Sequence, residues 1–591
     1  MDNYTKLKNF LNNEIDGILF YTGLKDKENK YHYFFSDPQN KIICNSVDNF
    51  EKSFQKINNL LKKGFYVVIT ISYEAGYLFE NKLRKKIWKP EFPYFQIFAF
   101  KNPLILKNLP FENFKSEDYI IYNFKPNMNY EKYSSNFLKI KNLIKNGEIY
   151  QLNYCFKLNF NFFGNPVSFF LDLIKNQNVS YSALFKINGI NIISLSPELF
   201  FRIKNNEIIL KPMKGTLLKT KKNKNFNILL NEKNKAENLM IVDLIRNDLG
   251  KICKINSISV SKLFNIEEYE TLYQMTSEIK GKLKTKNFYE IFKAIFPSGS
   301  VTGTPKIRAM ELIKNFENME RKIYTGALGF LTPDKNAVFN IPIRTILIKN
   351  NIGEIGIGSG VVYDSKVKSE YRECLGKAKF LLKLKKTFAI IETMRIIKNK
   401  GYFLLNEHLL RLLNSCKFFK INCDIDKIKN QLLKIKFDTD CKIRLLVFAD
   451  GKFKIEKSIY IENKSNFIEF SNFKISSKNI FLYHKTTNRK LYNKEYKNAL
   501  KNGLFDVIFL NERDEITEGS ISNIFIKKNG VFYTPPVKCG LLPGIYRNYL
   551  LKKDNKKYRE KVLLKKDVLN ADEIYLCNSV FFLKKVFFKG V

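Results

Sequence analysis

The sequence predicts an α/β chain followed by an α+β one, with the division near residue 386. Three observations carry this. In the first part, β-rich runs alternate with helical patterns. At residues 379–387 the basic run KFLLKLKKT closes a helical pattern, and FAIIETMRIIKNKGYFLLNEHLLRLL then starts afresh as strand, turn and helix. The 591 residues, 45% hydrophobic and 27% charged, have the balance of an ordinary globular protein with room for several cores. The expected parts are residues 1–385, subdivided into 1–110 and 111–385, and residues 386–591.

In chain order, YVVITISYEAGYLFE (66–80) reads as a strand and then a helix. INIISLSPELFFRIKNNEIIL (190–210) reads as a strand pair across a turn. KTKKNKNFN (219–227) and KLKTKNF (282–288) are lysine-dense and read as exposed connections. KAENLMIVDLIRNDLGKIC (235–253) places Leu239, Val242, Ile245 and Leu249 on roughly helical spacing, with Gly250 where that helix would end. The second part has strands at 442–449, 505–510 and 521–526, with turns at ADGK (449–452) and NERDE (511–515).

Composition excludes several classes. No apolar run approaches the roughly 20 residues that span a bilayer, and MDNYTKLKNFLNNEIDG lacks the apolar core of a secretory signal. Nine cysteines are scattered from Cys44 to Cys577 without a CxxC, which is neither a zinc framework nor a disulfide scaffold. A reducing cytoplasm fits them. His32, His408 and His484 lie far apart in sequence, so a histidine triad finds no support. Lys plus Arg is 101 against 57 Asp plus Glu, a net charge of +44. The lysines run through the whole chain among abundant Asn, Ile, Phe and Tyr. They read as a solvated basic surface that attracts small anions, with no nucleic acid and no membrane expected as partner.

Four segments of the first part look chemical. They are Lys211-Pro-Met-Lys-Gly-Thr216, the helix carrying Glu237, Asp243, Arg246 and Asp248, FPSGSVTGTPKIRAMELI (296–313), and GIGSGVVYDSKVKSEYRECLGKAK (356–379). Glu370, Glu373 and Lys377 share one helix face at i, i+3 and i+7. Alone, that is an ordinary surface Glu–Lys pair. The preceding glycines at 356, 358 and 360 change its weight, because they bare a strand end to a ligand. Carboxylates there facing Glu237 suit a hard cation such as Mg²⁺, which takes one or two protein carboxylates plus substrate oxygens. Neither a GxGxxG nor a GxxxxGK[ST] phosphate loop is present.

Nearly end to end, the first part resembles the chorismate-utilising enzymes, the family of anthranilate, aminodeoxychorismate and isochorismate synthases. The matching strings are ISYEAGYLFE, GEIYQLNYCFKLNF, SLSPELFF, KPMKGT, KAENLMIVDLIRNDLG, GSVTGTPKIRAMELI, YTGALGF, IPIRTI and GSGVVYDSKVKSEYRE. The resemblance implies a two-sheet α/β sandwich, chorismate as substrate and Mg²⁺ as cofactor. Glu237 and Glu373 would hold the metal with Glu370 in support. Tyr324, Arg344 and the backbone at Gly358 and Gly360 would grip a substrate carboxylate. Ser300, Lys306 and Lys377 fall in pocket-lining segments. Lys214 selects the subfamily: P-I-K-G-T strings resemble aminodeoxychorismate synthase, P-I-A-G-T strings anthranilate synthase. A lysine in a partly dry pocket can lose its proton and act as a nucleophile. Two departures stand out. Tyr273 replaces a histidine often found before Gln-Met, and Asn234 replaces an acidic residue, which leaves the base for the incoming nucleophile unassigned. Cys374 lacks the context of a glutaminase nucleophile, so a separate glutamine amidotransferase subunit is the expected ammonia supplier.

In the second part LLPGIYR sets a Gly-containing turn before a helix, whose first backbone N–H groups can bind a phosphate. With FAIIETMR, LNEHLLRLLNS, KTTNR, FLNERDEITEGSISNIF and TPPVKCGLLPGIYR, this part resembles the fold-type IV pyridoxal-phosphate enzymes. The resemblance implies pyridoxal 5′-phosphate carried on Lys485, with Glu518 at its ring nitrogen and Arg411, Ile545 and Tyr546 at its phosphate. Asn578 and Ser579 lie on a further lining loop, and the fold would allow a homodimer. An upstream domain that makes 4-amino-4-deoxychorismate beside one that binds amines implies elimination of pyruvate to 4-aminobenzoate, the aromatic amine of folate synthesis. An anthranilate synthase joined to an aminotransferase is the rival reading.

Overall fold

The computed structural model describes residues 2–25, 29–84, 90–109, 119–218, 230–268, 272–384 and 388–589. The expected division near residue 386, the 110/111 subdivision and the connection 219–227 lie outside the described residues. The chain forms two compact units. Unit 1 comprises Met1–Ser116, Phe124–Phe162 and Pro166–Lys385, and unit 2 comprises Glu117–Asn123, Phe163–Asn165 and Lys386–Val591. Two short pieces of the first part thus join the second unit. There Ile120, Tyr122 and Phe163 enter a core with Phe388, Ile390 and Phe419.

Unit 1 is a two-sheet sandwich. The path of one ten-stranded sheet starts Gly303–Thr304, Gln151–Gly164, Ile352–Val361, Thr345–Lys349, Ile190–Ser196. The path of the other starts Met213–Leu218, Leu272–Lys282, Glu207–Leu210, Leu199–Lys204, Ala337–Asn340. Between them lies an aromatic layer. Phe20 and Phe35 of the first sheet meet Phe330 of the second at ring distances of 5.1 and 5.7 Å. Helices cover the outer face of the second sheet, where Phe54, Ile245 and Phe292 join Ile69, Phe95 and Phe201 in one core.

Residues 66–80 form the strand Tyr66–Ile71 and the helix Ala75–Phe79, as the sequence predicts. Residues 190–210 do not form one strand pair. Ile190–Ser196 belongs to the first sheet; Leu199–Lys204 and Glu207–Leu210 form a hairpin in the second. The chain crosses between the sheets at Pro197, which has no N–H to offer a ladder. The helix Glu232–Gly250 starts at Asn231, whose side chain accepts the Asn234 N–H. It buries Val242, Ile245 and Leu249, while Leu239 is 46% exposed.

Unit 2 is α+β. A four-stranded sheet built on Ala389–Ile397 and Cys441–Phe448 carries the helices Leu405–Phe418 and Ile425–Leu433. An eight-stranded sheet includes Asp506–Asn511, Ile516–Gly519 and Asn523–Lys528, with the helix Ile545–Lys553 against it. Among the described residues no helix is long and apolar enough to cross a membrane.

Candidate active sites

In unit 1 a bulge presents Lys214. Lys214 stands opposite Met275 and Thr216 opposite Gln274, so Gly215 is the extra residue. Its φ is +71°, a conformation glycine adopts freely, and its carbonyl accepts from Gln274 Nε2 at 2.7 Å. Lys214 comes under the charges of Glu237, Glu198, Lys377 and Glu373. Burial holds its ammonium below the ordinary lysine range, against the opposing pull of Glu237 and Glu198.

Glu198 is buried, and its Oε1 accepts from Ser300 Oγ at 2.8 Å. Burial pushes its carboxyl up to about 7, with Ser300 and Lys214 pulling the other way. Burial thus pushes both Glu198 and Lys214 toward their uncharged forms, and each acts on the other's charge. This glutamate was not legible: in SLSPELFF nothing separates it from a strand-end carboxylate. The available signal was its place in a run of small and apolar residues, where a charge is expected to be buried.

Lys377 caps the helix Val367–Gly376, donates to the Gly358 carbonyl at 2.7 Å and pairs with Glu373 at 2.9 Å. Burial works against its charge, yet Glu373 keeps its pKa above the ordinary value. Glu370, the third expected metal ligand, is buried on the same helix and accepts from Ser365 Oγ at 2.8 Å. Among the described residues no three His, Cys, Asp or Glu groups gather as a metal cage. Glu237 and Glu373 both act on Lys214. This pair fits Mg²⁺, which needs only one or two carboxylates, and Glu370 fits a supporting place.

The glycine strand is not bare. A Cβ on Gly356 would fall 2.2 Å from the Tyr324 ring, one on Gly358 2.4 Å from Cys155 Sγ, and one on Gly360 2.8 Å from Gln151 Nε2. The glycines therefore admit the protein's own side chains close to the backbone. Gln151 is fully buried with both carboxamide atoms lacking partners, and Thr304 Oγ1, on the neighbouring strand residue, also lacks one. Such unsatisfied groups beside Gly360 mark a place for a small polar molecule. Gln151 was a second residue missed, since its string reads simply as a strand. Tyr324 is buried over Gly356. Arg344 has φ +51° and its carbonyl accepts the Leu195 N–H at 3.2 Å. The ammonium of Lys306, expected in the pocket lining, is instead paired with buried Asp248 at 2.6 Å, where it ties two helices.

In unit 2, Lys485 lies beside Thr486, which bridges to Ile390. Burial lowers its pKa to about 7, helped by the nearby charges of Arg489 and Arg411. Glu518 is buried on Ile516–Gly519, and its Oε2 accepts from Leu542 N–H and Asn523 Nδ2, each at 3.1 Å. Burial raises it to about 8 despite the Leu542 bond. Arg411 donates to Glu392 at 2.9 and 2.7 Å, and its Nη1 reaches the Pro543 carbonyl at 3.4 Å. Burial opposes the Glu392 charge, but Arg411 and His408 hold its carboxyl down at about 2. Pro543 precedes Gly544, which caps the nine-residue helix Ile545–Lys553. Arg411 therefore lies against the turn that leads into the start of this helix. Buried Asn488 Nδ2 and Ser520 Oγ lack partners near Lys485 and Glu518. The set fits pyridoxal 5′-phosphate: an amine, a ring-nitrogen partner, an anion cradle and unfilled polar atoms. Ser579 is buried, and Asn578 Nδ2 bonds the Ile521 carbonyl at 3.0 Å.

Comparison with known proteins agrees with this two-part layout. Residues 19–383 match the chorismate binding enzyme family and residues 389–586 match amino-transferase class IV. Anthranilate synthase component 1 of Lactococcus lactis is 32% identical over 329 residues, 53% of this chain and 71% of that protein. Aminodeoxychorismate synthase component 1 of Escherichia coli is 35% identical over 263 residues, 44% of this chain and 58% of that protein. The matched share of the plant aminodeoxychorismate synthases is smaller still, 25% and 29%. Anthranilate synthase component I of Streptococcus pneumoniae shares the fold with a TM-score of 0.52 at 24% identity, covering 60% of this chain and 93% of that one.

Proposed function

The chain belongs to the chorismate-binding enzyme family, and we propose that it makes 4-aminobenzoate from chorismate in two steps, one in each unit. The observation that carries the reading is Lys214, presented by a bulge, its pKa lowered by burial, under the charge of a buried glutamate whose carboxyl is raised to about 7. In the first step the Lys214 amine attacks C2 of chorismate. Both ring double bonds shift by one position, and the C4–O bond breaks as Glu198 gives its proton to the departing hydroxyl. Ammonia then bonds to C4, both double bonds return, and Lys214 leaves with its electron pair restored. Gln151 and Thr304 supply polar atoms at which the incoming nucleophile can be held. Glu237 and Glu373 would hold Mg²⁺, with Glu370 behind them, and the ion would neutralise a substrate carboxylate. Tyr324, Arg344, Lys377 and the backbone at Gly358 and Gly360 line the substrate's place, with Ser300 orienting Glu198. Lys306 acts at a distance, through Asp248 and the helix it anchors.

The product, 4-amino-4-deoxychorismate, then needs a base at C4 and loss of pyruvate from C3. Arg411 with the Ile545 and Tyr546 amides would hold the phosphate of pyridoxal 5′-phosphate, Glu518 its ring nitrogen and Lys485 its aldehyde carbon. When bound, this cofactor supplies an electron sink. Lys485, half-deprotonated near neutral pH, removes the C4 proton; pyruvate departs and the ring becomes aromatic. A glutamine amidotransferase subunit is the ammonia source that the two-component naming of the relatives supports. The 71% coverage of the Lactococcus anthranilate synthase favours the rival reading for unit 1. Lys214 speaks against it. Lys214→Ala should cut aminodeoxychorismate formation from chorismate and ammonium by orders of magnitude, while Lys485→Ala leaves that step intact. Unchanged turnover in Lys214→Ala removes the nucleophile from the account.

A further inference from the structure

Unit 2 holds a half-buried cation that none of these roles uses. Arg489 lies four residues after Lys485, and its charge bears on both Lys485 and Glu518. Its Nη2 donates to the Ser520 carbonyl, and its guanidinium stands 5.6 Å from the Tyr492 ring centre. Its Nε–H is buried and has no acceptor. The other shielded arginines of this unit are neutralised: Arg395 by Asp440, Arg411 by Glu392, Arg547 by Glu560. Among the described residues no carboxylate pairs with Arg489. Asn488 Nδ2 and Ser520 Oγ, in the segments that carry and bond Arg489, are also buried without partners.

A guanidinium N–H buried without an acceptor is costly, and the planar fork matches a carboxylate. The anions of the second step are few. The cofactor's phosphate is provided for by Arg411 and the helix start. One carboxylate of aminodeoxychorismate departs with pyruvate. The ring carboxylate persists into 4-aminobenzoate. The cofactor's ring oxygen is the other oxyanion that could reach this position.

We propose that Arg489 is the oxyanion site of unit 2, receiving the ring carboxylate of the amine substrate on its Nε–H and Nη groups. The proposal rests on the second step above and adds what selects its substrate. Arg489 then discriminates for amines that carry a carboxylate on the ring.

The test compares 4-aminobenzoate with aniline, which lacks the carboxylate, as ligands of the cofactor-loaded protein, read by perturbation of its visible absorption. Wild type should prefer 4-aminobenzoate by at least about tenfold, the worth of a charge-assisted hydrogen bond. Arg489→Met should abolish the preference, leaving aniline affinity unchanged. Arg489→Lys should keep part of it. A preference that survives in Arg489→Met overturns the proposal. So does a shifted pH titration with the preference intact, which assigns Arg489 to the cofactor's ring oxygen. If Arg489→Met does not fold, Arg489→Lys and wild type decide, and a wild type without preference overturns it. A wild type that shows an Arg489-dependent preference but converts no aminodeoxychorismate refutes the second step while the oxyanion site stands.

Discussion

Replacing Glu392 with glutamine should destabilise unit 2 by about 3 kcal/mol. The carboxylate is 1% exposed and receives two hydrogen bonds from Arg411 and one contact at 2.6 Å from His408 Nδ1. Its fall from the ordinary 4.5 to about 2 corresponds to about 3 kcal/mol, at about 1.4 kcal/mol per pH unit. Removing one partner of a buried ion pair independently costs about 3–5 kcal/mol. The sign follows from the direction: a depressed carboxyl stabilises the fold above pH 4.5, and that support fades as the pH falls toward 2. The assay is urea unfolding of the intact chain with two probes. Synthase turnover of chorismate follows unit 1. Cofactor absorption follows unit 2. Glu392→Gln should shift the second transition and not the first, and should flatten the acid dependence of unit 2. A second transition moved by less than about 0.5 kcal/mol, the scale of a surface substitution, would falsify the buried Arg411–Glu392 pair.

Glu198→Gln keeps the size of the acid and removes its proton. The synthase rate should drop by about a hundredfold or more. In wild type that rate should fall as the pH rises through about 7, where Glu198 ionises, and the variant should lose this limb. A limb that persists in the variant belongs to another group. Gly356→Ala sets a Cβ 2.2 Å from the Tyr324 ring and should cost unit 1 about 1–3 kcal/mol, read by urea unfolding followed through synthase turnover; wild-type stability would contradict the close ring–backbone packing. Lys485→Ala should lose the lysine-dependent visible absorption of the cofactor and all 4-aminobenzoate formation, while aminodeoxychorismate accumulates.

The elements were legible where local chemistry decides them. Asn231 caps its helix, and Gly451 and Asp514 take positive φ in the two turns read from ADGK and NERDE. What the sequence withheld depends on contacts between distant segments. Alternation marks residues 190–210 as strands but cannot say that they divide between two sheets. Leu239 has helical spacing with Val242, yet it lies past the edge of the buried stripe. Glycines at 356, 358 and 360 signal a close approach, but not that Tyr324, Cys155 and Gln151 are what approach. Lys306 sits in a motif that resembles a pocket lining, and only the fold shows Asp248 under its ammonium. Glu392 reads as one more strand residue until Arg411 and His408 arrive from the next helix.

The identity of the aromatic amine made from chorismate decides the matter. The purified chain, loaded with Mg²⁺ and pyridoxal 5′-phosphate and given chorismate and an ammonium salt, should release 4-aminobenzoate and one pyruvate. In Lys485→Ala the same mixture should stop at 4-amino-4-deoxychorismate. Anthranilate as the sole product would contradict the assignment of Lys214 and give unit 1 to the rival reaction.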